Sequence, residues 1–359
     1  MTLSGNRGEW SEIYTFLRLL ADGKLFAADE HLNRIEEMFF PIIKIIREEI
    51  RGQEYEYYPR PDDSVIEIYL NDELVDTKPA IDFDAKSSDL YKAISDQPPG
   101  KGAFKIPISE NFIRSIYVNK LAAAASSKSD IDIKLHDVNT GYEHIAGFSI
   151  KSEMGMPSTL LNASGATNFI FRVDGLDHAS IDRINEISTA SKIRDRISEI
   201  NRLDGKLTYV GMQNNIFLEN LIMIDSHMPQ IVATMLLEYY SGHASDSVDI
   251  VKQVIGINPI DQFPRFYEHK AKDMLCSFAL GMRPATKWDG TDEASGGYII
   301  VKASGEVLAY HVYNRDAFRK YLLEKTKFET ASSRRHAFGT LYRHDSETRI
   351  KLNLQIRFK

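Results

Sequence analysis

The sequence predicts an α/β (α+β) protein in which a mixed central sheet is flanked by helices and extended by an added helical region and by C-terminal β-hairpins. Three patterns predict this class. Period-two strands follow an initial helical segment, helical periodicity dominates from residue 180, and strand pairs joined by turn residues return after residue 297. Because helices and strands are interspersed, we expect both to contribute to the core.

The elements of the first half follow from periodicity and from turn residues. The predicted helices are Glu9–Ala21, Ala27–Arg51 with a kink or break at Pro41, and Glu110–Ala125. Three strands, EYEYY, SVIEIYL and ELVDT, are separated by PRPDD and by Asn71-Asp72, as in an antiparallel meander. The stretch Ser87–Lys105 contains QPPGKG and is predicted to be a mobile loop.

The second half is predicted to be helical first and rich in strands at its end. The helices expected there are Ser180–Arg202, Asn215–Tyr240, Ser247–Val254 and Pro264–Leu280. One hairpin is expected around Ser304-Gly305, and another joins Gly339–Arg343 to Arg349–Phe358. We therefore divide the chain into residues 1–175 and 176–359, either as two domains or as one continuous domain.

Residues 130–153 carry the most informative charge pattern. Asp130 and Asp132 alternate with isoleucines, so on a strand both carboxylates lie on one face. In FSIKSE, Lys151 and Glu153 also share a face. The turn-rich HDVNTGYEH between these segments predicts a hairpin that brings an aspartate toward the lysine and the glutamate.

Such a group of side chains suits metal-dependent hydrolysis of phosphodiesters. Carboxylates can hold Mg²⁺, which takes oxygen ligands and keeps several waters, while a nearby lysine orients the attacking water or helps to deprotonate it. The same spacing also occurs on many solvent-facing strands, where the charges are merely hydrated. The pattern alone leaves both interpretations open.

The two strands resemble the PD-(D/E)xK nuclease core, which places an acid at the end of one strand and acid-x-Lys on the next. The resemblance implies that the central sheet is of the PD-(D/E)xK nuclease type. The chain departs from the motif because Ser149, not an acid, stands two residues before Lys151. Some enzymes of the superfamily relocate this acid, so Glu153 is the predicted second metal ligand. Its partner is Asp130, with Asp132 as the alternative.

Further blocks of the chain resemble the HpaII-type restriction endonucleases. They are GEWSE, GFSIKSEMG with TLLNASGATNF, GMRPATKWDG, GGYIIVK, YHVYNRDAF, TKFETASSRRHAFG and KLNLQIRF, spread from Gly8 to Phe358. The resemblance implies a Type II restriction endonuclease that cuts duplex DNA within a short palindrome, CCGG in the founding member. A two-fold target favours a homodimer, although some four-base cutters act as monomers, and the class of enzyme implies a companion DNA methyltransferase.

Two acids of the first predicted helix are candidates for a further catalytic carboxylate. Glu9 and Glu12 are three residues apart and therefore share a helix face. Many superfamily members use an acid from an early helix, but the same spacing is ordinary on an exposed helix. We rank Glu9 ahead of Glu12 because it stands beside Trp10 in the family-like GEWSE.

Composition fits a cytoplasmic globular protein. The 359 residues, 43% of them hydrophobic, suffice for one large or two ordinary domains. No run of about 20 apolar residues predicts a membrane helix, and MTLSGNRGEW has no secretory apolar run. The single cysteine, Cys276, is expected to be a buried structural thiol, which argues against a zinc site or thiol catalysis.

The net charge of −7 is unevenly distributed. Residues 313–359 carry twelve Lys or Arg against five Asp or Glu, a net charge of +7, which leaves −14 for the rest of the chain. This basic tail is the predicted electrostatic footprint of DNA, and a merely solvated basic face is the alternative.

Candidate DNA contacts lie in the tail and in two polar segments upstream. Arginine or lysine pairs with guanine, and Asn or Gln with adenine, whereas hydroxyl and amide groups also bind the backbone. Capping of helices is a competing role for several of the polar residues. The candidates are Asn162, Ser164, Asn168, Gln213, Asn214, Lys327, Ser332, Ser333, Arg334, Arg335 and His336.

Two functions from different classes therefore remain after the sequence is considered. The first is the Mg²⁺-dependent endonuclease. The second is a DNA-binding protein with a disabled nuclease fold, in which Ser149 marks a lost acid. Cleavage of plasmid DNA in Mg²⁺ separates the two.

Overall fold

The computed structural model describes residues 2–50, 52–98, 100, 102–121, 129–138, 140–311 and 314–359. Contacts divide the chain into two compact units. The first comprises Met1–Ser158 and Asp292–Tyr321, and the second Thr159–Thr291 and Leu322–Lys359. No helix within the described ranges has the length and apolar character needed to cross a bilayer.

Within the described residues, the first unit combines nine strands with several helices. Its helices are α1 (Arg7–Asp22), α2 (Ala80–Ser95) and α3 (Pro107–Ser115), and α10 (Arg315–Lys325) begins in it. Its strands are β1 (Lys24–Ala28), β2 (Arg34–Ile50), β3 (Gln53–Arg60), β4 (Val65–Leu70), β5 (Glu73–Pro79), β6 (Ile131–His136), β7 (Glu143–Ser152), β11 (Gly297–Val301) and β12 (Val307–His311).

These strands form one mixed sheet in the order β1-β12-β11-β7-β6-β2-β3-β4-β5. Because β1 also pairs with β2, six of the strands close into a barrel, and β3, β4 and β5 continue outward from it. The β1–β12 and β11–β7 pairs are parallel, and the other pairs are antiparallel. The predicted mixed central sheet is confirmed.

Helix α1 forms much of the core of this unit. It contacts β1, β2, β3, β7 and β12. Apolar residues fill half of its 16 positions, and Trp10, Ile13 and Leu17 are completely buried. The Trp10 indole N–H donates to the carbonyl of Phe104 at 3.0 Å, so its one polar atom is satisfied.

The meander and two hairpins of the first unit agree with the sequence patterns. Strands β3, β4 and β5 pair in order, and Asn71 and Asp72 between the last two have positive φ, as a tight two-residue turn requires. Strands β6 and β7 form the predicted hairpin, with Asp132 opposite Gly147. Strands β11 and β12 form the hairpin expected around Ser304-Gly305.

Two predictions for this unit are wrong, and the predicted helix Glu110–Ala125 is confirmed only to Ser115, where α3 ends; residues 122–125 lie outside the described ranges. Ala27–Arg51 is not a helix, because residues 34–50 form β2. Its four β-branched isoleucines from residue 42 to 46 favour a strand, and Pro41 lies beside a register shift where the ladder is already interrupted. The predicted loop Ser87–Lys105 is helical to Ser95, because Phe83, Leu90 and Ile94 pack into the core.

The second unit contains two small antiparallel sheets and a group of helices. Its helices are α4 (His178–Asn185), α5 (Lys192–Arg202), α6 (Asn215–Ile224), α7 (Met228–Ser241), α8 (Ser247–Ile257), α9 (Pro264–Leu280) and α11 (Ser333–His336). Its strands are β8 (Thr159–Leu161), β9 (Asn168–Asp174), β10 (Lys206–Met212), β13 (Thr326–Phe328), β14 (Leu341–His344), β15 (Glu347–Asn353) and β16 (Ile356–Phe358). The sheet orders are β10-β9-β15-β14 and β13-β16-β8.

The helical region predicted for the second half is confirmed, with breaks that the periodicity did not show. Ser180–Arg202 is divided between α4 and α5, and Asn215–Tyr240 between α6 and α7. Pro229 lies in the first turn of α7, where a missing N–H costs nothing. The terminal hairpin is confirmed as β14 and β15. Cys276 is buried on α9, as expected for a structural thiol.

Candidate active site

Asp130 is held at the start of the β6–β7 hairpin. Its backbone N–H donates to the carbonyl of Phe148 at 2.8 Å. Its carboxylate oxygen Oδ2 accepts from the backbone N–H of Ile150 at 2.7 Å and from the hydroxyl of Ser149 at 3.1 Å. The residue that replaces the expected acid of the motif therefore orients the aspartate of the neighbouring strand.

Lys151 lies near the end of β7, opposite Ile300 of β11. Its ammonium lies 5.7 Å from the centre of the Tyr298 ring. Among the described residues it forms no ion pair. The charge of Lys151 is therefore available to a ligand rather than neutralised by a neighbouring carboxylate.

Glu12 brings a second carboxylate to this place from α1. Burial and, after it, the negative charge of Asp130 raise the pKa of Glu12 to about 8. Arg47 and Lys151 oppose this rise, and Glu9 adds slightly to it. Glu12, Asp130 and Lys151 therefore lie close enough to interact, although they come from three separate parts of the sequence.

A pocket of about 350 Å³ contains these three side chains. The start of α1 and the end of β7 form most of its lining. The residues that line it are Asn6, Arg7, Gly8, Glu12, Gly100, Asp130, Ile150, Lys151, Ser152, Gly155, Met156 and Ser158. Carboxylates, a lysine and exposed main-chain atoms suit a charged, hydrated substrate better than an apolar one.

Arg7 and Gly155 belong to this pocket, and sequence reasoning did not select them. The Arg7 guanidinium donates to the carbonyls of Met154 and Gln97. A β-carbon at position 155 would lie 2.7 Å from Cδ of Arg7, so glycine gives the arginine its room. Their positions in the sequence could have indicated them, because Arg7 immediately precedes the family-like block GEWSE and Gly155 is the last residue of GFSIKSEMG.

Three acids that the sequence analysis selected as catalytic candidates do not line this pocket. Glu9 forms a capping box, in which its carboxylate accepts from the N–H of Asn6 at 2.7 Å. Asp132 is half-buried opposite Gly147 and does not line the pocket. Glu153 is exposed, does not line the pocket, and raises the pKa of Tyr321 by its negative charge, after the larger effect of burial.

No group of three or more His, Cys, Asp or Glu residues suited to a metal ion occurs in the described ranges. Two carboxylates nevertheless line the pocket, and the negative charge of Asp130, after the larger effect of burial, raises the pKa of Glu12. A divalent cation would relieve that repulsion, so this donor set fits a hard metal ion that keeps part of its water shell.

The predicted DNA contacts upstream of the tail are mostly engaged within the second unit. Asn168 is buried, and its amide donates to the side chain of Gln213 and to the carbonyl of His336, both at 2.9 Å. The side chain of Asn168 is therefore engaged inside the second unit. Ser164 caps a short helical turn and Asn214 caps α6, whereas Asn162 is exposed.

The candidates in the tail are more accessible. Ser332, Arg334 and Arg335 are exposed, and Ser333 and His336 are half-buried around the short helix α11. Lys327 is half-buried on β13. Other cations of the tail are paired, such as Arg349 with Glu347 and Arg357 with Glu329. The accessible positive charge of the tail is therefore concentrated near α11.

Known proteins resemble this chain over nearly its whole length. The family model described as "HpaII restriction endonuclease" matches residues 6–358. The chain belongs to the HpaII restriction endonuclease family. It is 41% identical over 359 residues to the Type II restriction enzyme HpaII of Haemophilus parainfluenzae, covering 99% of this chain and 98% of that relative. No solved structure matches it.

Membership of the HpaII restriction endonuclease family confirms the predicted enzyme class, a Type II site-specific deoxyribonuclease. It also accounts for the extent of the resemblance, because the match includes both structural units rather than the hairpin alone. The blocks from GEWSE to KLNLQIRF all lie within or at the edges of the matched range.

Proposed function

We propose that this protein hydrolyses phosphodiester bonds of duplex DNA at a short palindromic sequence by Mg²⁺-dependent attack of water. The observation that carries the proposal is the meeting of Glu12, Asp130 and Lys151 in one pocket of a chain that belongs to the HpaII family. CCGG is the first target to test, since the family resemblance implies it.

We infer that the β6–β7 hairpin is a variant of the PD-(D/E)xK core. Asp130 takes the part of the acid on the first strand and Lys151 that of the lysine on the second. Ser149 occupies the position of the second acid and donates a hydrogen bond to Asp130 instead. The missing carboxylate is supplied by Glu12 of α1, which is the acid that interacts with Asp130.

In this proposal Asp130 and Glu12 hold the metal ion. Glu153, predicted from its spacing, is the alternative second ligand, but it does not line the pocket. Asp132 and Glu9 take no direct part, because Asp132 lies outside the pocket lining and Glu9 is used in the cap of α1. When bound, Mg²⁺ lowers the pKa of a water ligand and offsets charge on the reacting phosphate.

The protein side chains position the reaction. Lys151 orients the attacking water and stabilises the negative charge that grows on the phosphate oxygens as one P–O bond forms and another breaks. Ser149 and the N–H of Ile150 fix the carboxylate of Asp130. Arg7, anchored by two backbone carbonyls, adds positive charge to the same pocket.

A palindromic target also suggests the oligomeric state of the enzyme. A two-fold sequence is matched by a two-fold homodimer, in which each subunit cuts one strand. A DNA methyltransferase that protects the same sequence in the host is the expected companion. We include the homodimer and the methyltransferase in the proposal because both are typical of Type II restriction enzymes.

The test is digestion of plasmid DNA in Mg²⁺ followed by sequencing of the fragment ends. We expect discrete fragments whose ends fall within one short palindrome, and no cleavage by Lys151→Ala. Lys134→Ala is the matched control, since Lys134 lies on the same hairpin but pairs with Glu143. Protection or gel retardation without cutting, by the wild-type protein, would instead support the disabled nuclease that Ser149 suggests.

A further inference from the structure

The second unit contains an open cleft of about 510 Å³ that is separate from the pocket described above. Residues 190–194, at the start of α5, form one part of its lining, and residues 330–334, which lead into α11, form another. Tyr239 and Tyr240 of α7 complete the lining. We call this the cationic cleft.

Positive side chains dominate the cationic cleft. Lys192, Arg194 and Arg334 line it, and Arg335 follows directly in the sequence. No Asp or Glu lines it. Within the described part of the chain none of these four cations forms an ion pair. The nearest acid in sequence, Asp195, accepts a hydrogen bond from the hydroxyl of Thr189.

Several other cations of this unit are neutralised by carboxylates. Arg172, Arg202, Arg349 and Arg357 all pair with carboxylates. Unpaired cations that lie close together repel one another, so such a group is costly unless an anion joins it. The charge pattern therefore indicates a site for an anionic ligand.

Both walls of the cationic cleft are anchored from behind. The hydroxyl of Tyr239 hydrogen-bonds to that of Thr330 at 2.9 Å, and buried Tyr240 donates to the carbonyl of Asn353 at 3.0 Å. Arg196 is buried on α5 and donates to the carbonyls of Asn185, Ile187 and Gly339. The cations are thus carried on a fixed frame, which limits the entropy lost on binding.

The donor set fits phosphate groups. Guanidinium and ammonium groups bind phosphate oxygens, and the hydroxyls of Ser191, Ser332 and Ser333 at the same cleft add neutral donors. The cleft is open rather than enclosed, so it suits a passing chain of phosphodiesters.

We propose that the cationic cleft grips the sugar-phosphate backbone of duplex DNA, with Lys192 and Arg194 as phosphate contacts that complement the segment before and within α11. The choice of DNA as the ligand rests on the proposed endonuclease function. The role assigned to Lys192 and Arg194 is to position DNA without reading its sequence, so their loss weakens binding to every duplex alike.

The test measures the affinity of Lys192→Ala/Arg194→Ala for two short duplexes, one with and one without CCGG, in Ca²⁺ at several salt concentrations. Loss of two phosphate contacts lowers the slope of log affinity against log salt by about 1.8, so the defect shrinks about tenfold between about 50 and 200 mM salt. Lys206→Ala/Lys252→Ala, which removes two positive charges elsewhere in this unit, is the matched control and should keep the wild-type slope.

Further measurements distinguish a phosphate-backbone contact from the other possible roles of the cationic cleft. Arg194→Lys with Lys192 intact should restore the slope, and single-turnover cleavage at saturating DNA should stay near the wild-type rate in the control variant Lys206→Ala/Lys252→Ala. An unchanged slope for the double alanine variant overturns the proposal. So does competition by inorganic phosphate or pyrophosphate for the cleft without any effect on DNA. If the wild-type protein shows the slope but cuts nothing, the endonuclease proposal fails and the cationic cleft stands.

Discussion

Asp130 shows how one side chain can be prepared for a ligand by its own hairpin. Both of its carboxylate hydrogen bonds end on Oδ2, from Ser149 and from the N–H of Ile150. Among the described residues Oδ1 accepts no hydrogen bond. One oxygen therefore fixes the orientation of the carboxylate while the other remains for a metal ion or a water molecule.

Variants of Glu9 and Glu12, the two acids at the start of α1, allow their roles in cleavage to be compared directly. We expect Glu12→Gln to lower the single-turnover cleavage rate by about a hundredfold or more, because it removes a proposed metal ligand. Glu9→Gln, the matched control, should cleave at nearly the wild-type rate and lose about 0.5–1 kcal/mol of unfolding free energy from the cap. The reverse ranking of the two cleavage rates would assign the catalytic role to Glu9.

The raised pKa of Glu12 also predicts a pH dependence of stability. The folded state holds the Glu12 proton up to about pH 8, whereas the unfolded chain releases it near its ordinary value of 4.5. The contribution of this group to stability is therefore greatest at low pH and is lost as pH rises from about 4.5 to 8.

We accordingly expect Glu12→Gln, without divalent ions, to be as stable as the wild type near pH 4.5 and more stable above pH 8, by up to about 5 kcal/mol. Denaturant unfolding at a series of pH values measures this difference. Parallel stability curves for the two proteins would show that Glu12 is not held in its protonated form.

At the scale of elements, β2 shows why its sequence was misjudged as a helix. In this strand both faces are partly covered, since Phe40, Ile42 and Ile45 are buried and neighbouring positions are half-buried. A strand that is covered on two faces does not alternate cleanly, and its apolar residues then match helical spacing as well. The deciding contacts come from β1, β3 and β6, which lie far apart in the sequence.

The C-terminal end of β2 also carries a buried ion pair. Arg47 donates to Glu49, and Glu49 accepts from the N–H of Asn119 at 2.8 Å. We expect Arg47→Met to lower the unfolding free energy by about 3–5 kcal/mol, because it leaves Glu49 buried without a counter-charge. The double variant Arg47→Met/Glu49→Leu should recover most of that loss, as measured by denaturant unfolding.

Arg60→Met is the control for this pair, since Arg60 and Glu67 form an ion pair between neighbouring strands that is partly exposed. It should cost about 1 kcal/mol or less. Equal losses for Arg47→Met and Arg60→Met would mean that burial does not decide the strength of the β2 pair.

At the scale of the whole molecule, the binding of a divalent ion should be visible in stability. A ligand that binds only the folded state raises its unfolding free energy, by about 2.7 kcal/mol at a hundred times its Kd. We expect Mg²⁺ or Ca²⁺ to raise the Tm of the wild-type protein by several degrees, at about 2–4 °C per kcal/mol. Asp130→Asn should abolish the rise, and Glu153→Gln should leave it intact. The opposite result would restore Glu153 as the second ligand.

Charge distribution is the other property of the whole molecule. The sequence predicts a basic tail, and the structure shows that many of its cations are neutralised locally by carboxylates. Lys192 and Arg194, which lie outside that tail, join Arg334 in the cationic cleft instead. A charge count along the chain therefore finds the sign of a surface but not its position.

The sequence alone determined the family, the enzyme class, the mixed sheet and the β6–β7 hairpin, because these depend on local periodicity and on blocks of residues that keep their order. It also selected Asp130 and Lys151, which flank the β6–β7 hairpin and line the same pocket. Tertiary structure decided that Glu12 rather than Glu9 faces Asp130, that β2 is a strand, and that Asn168 is internal. Each of these outcomes depends on packing between segments distant in sequence, and no local pattern carries that information.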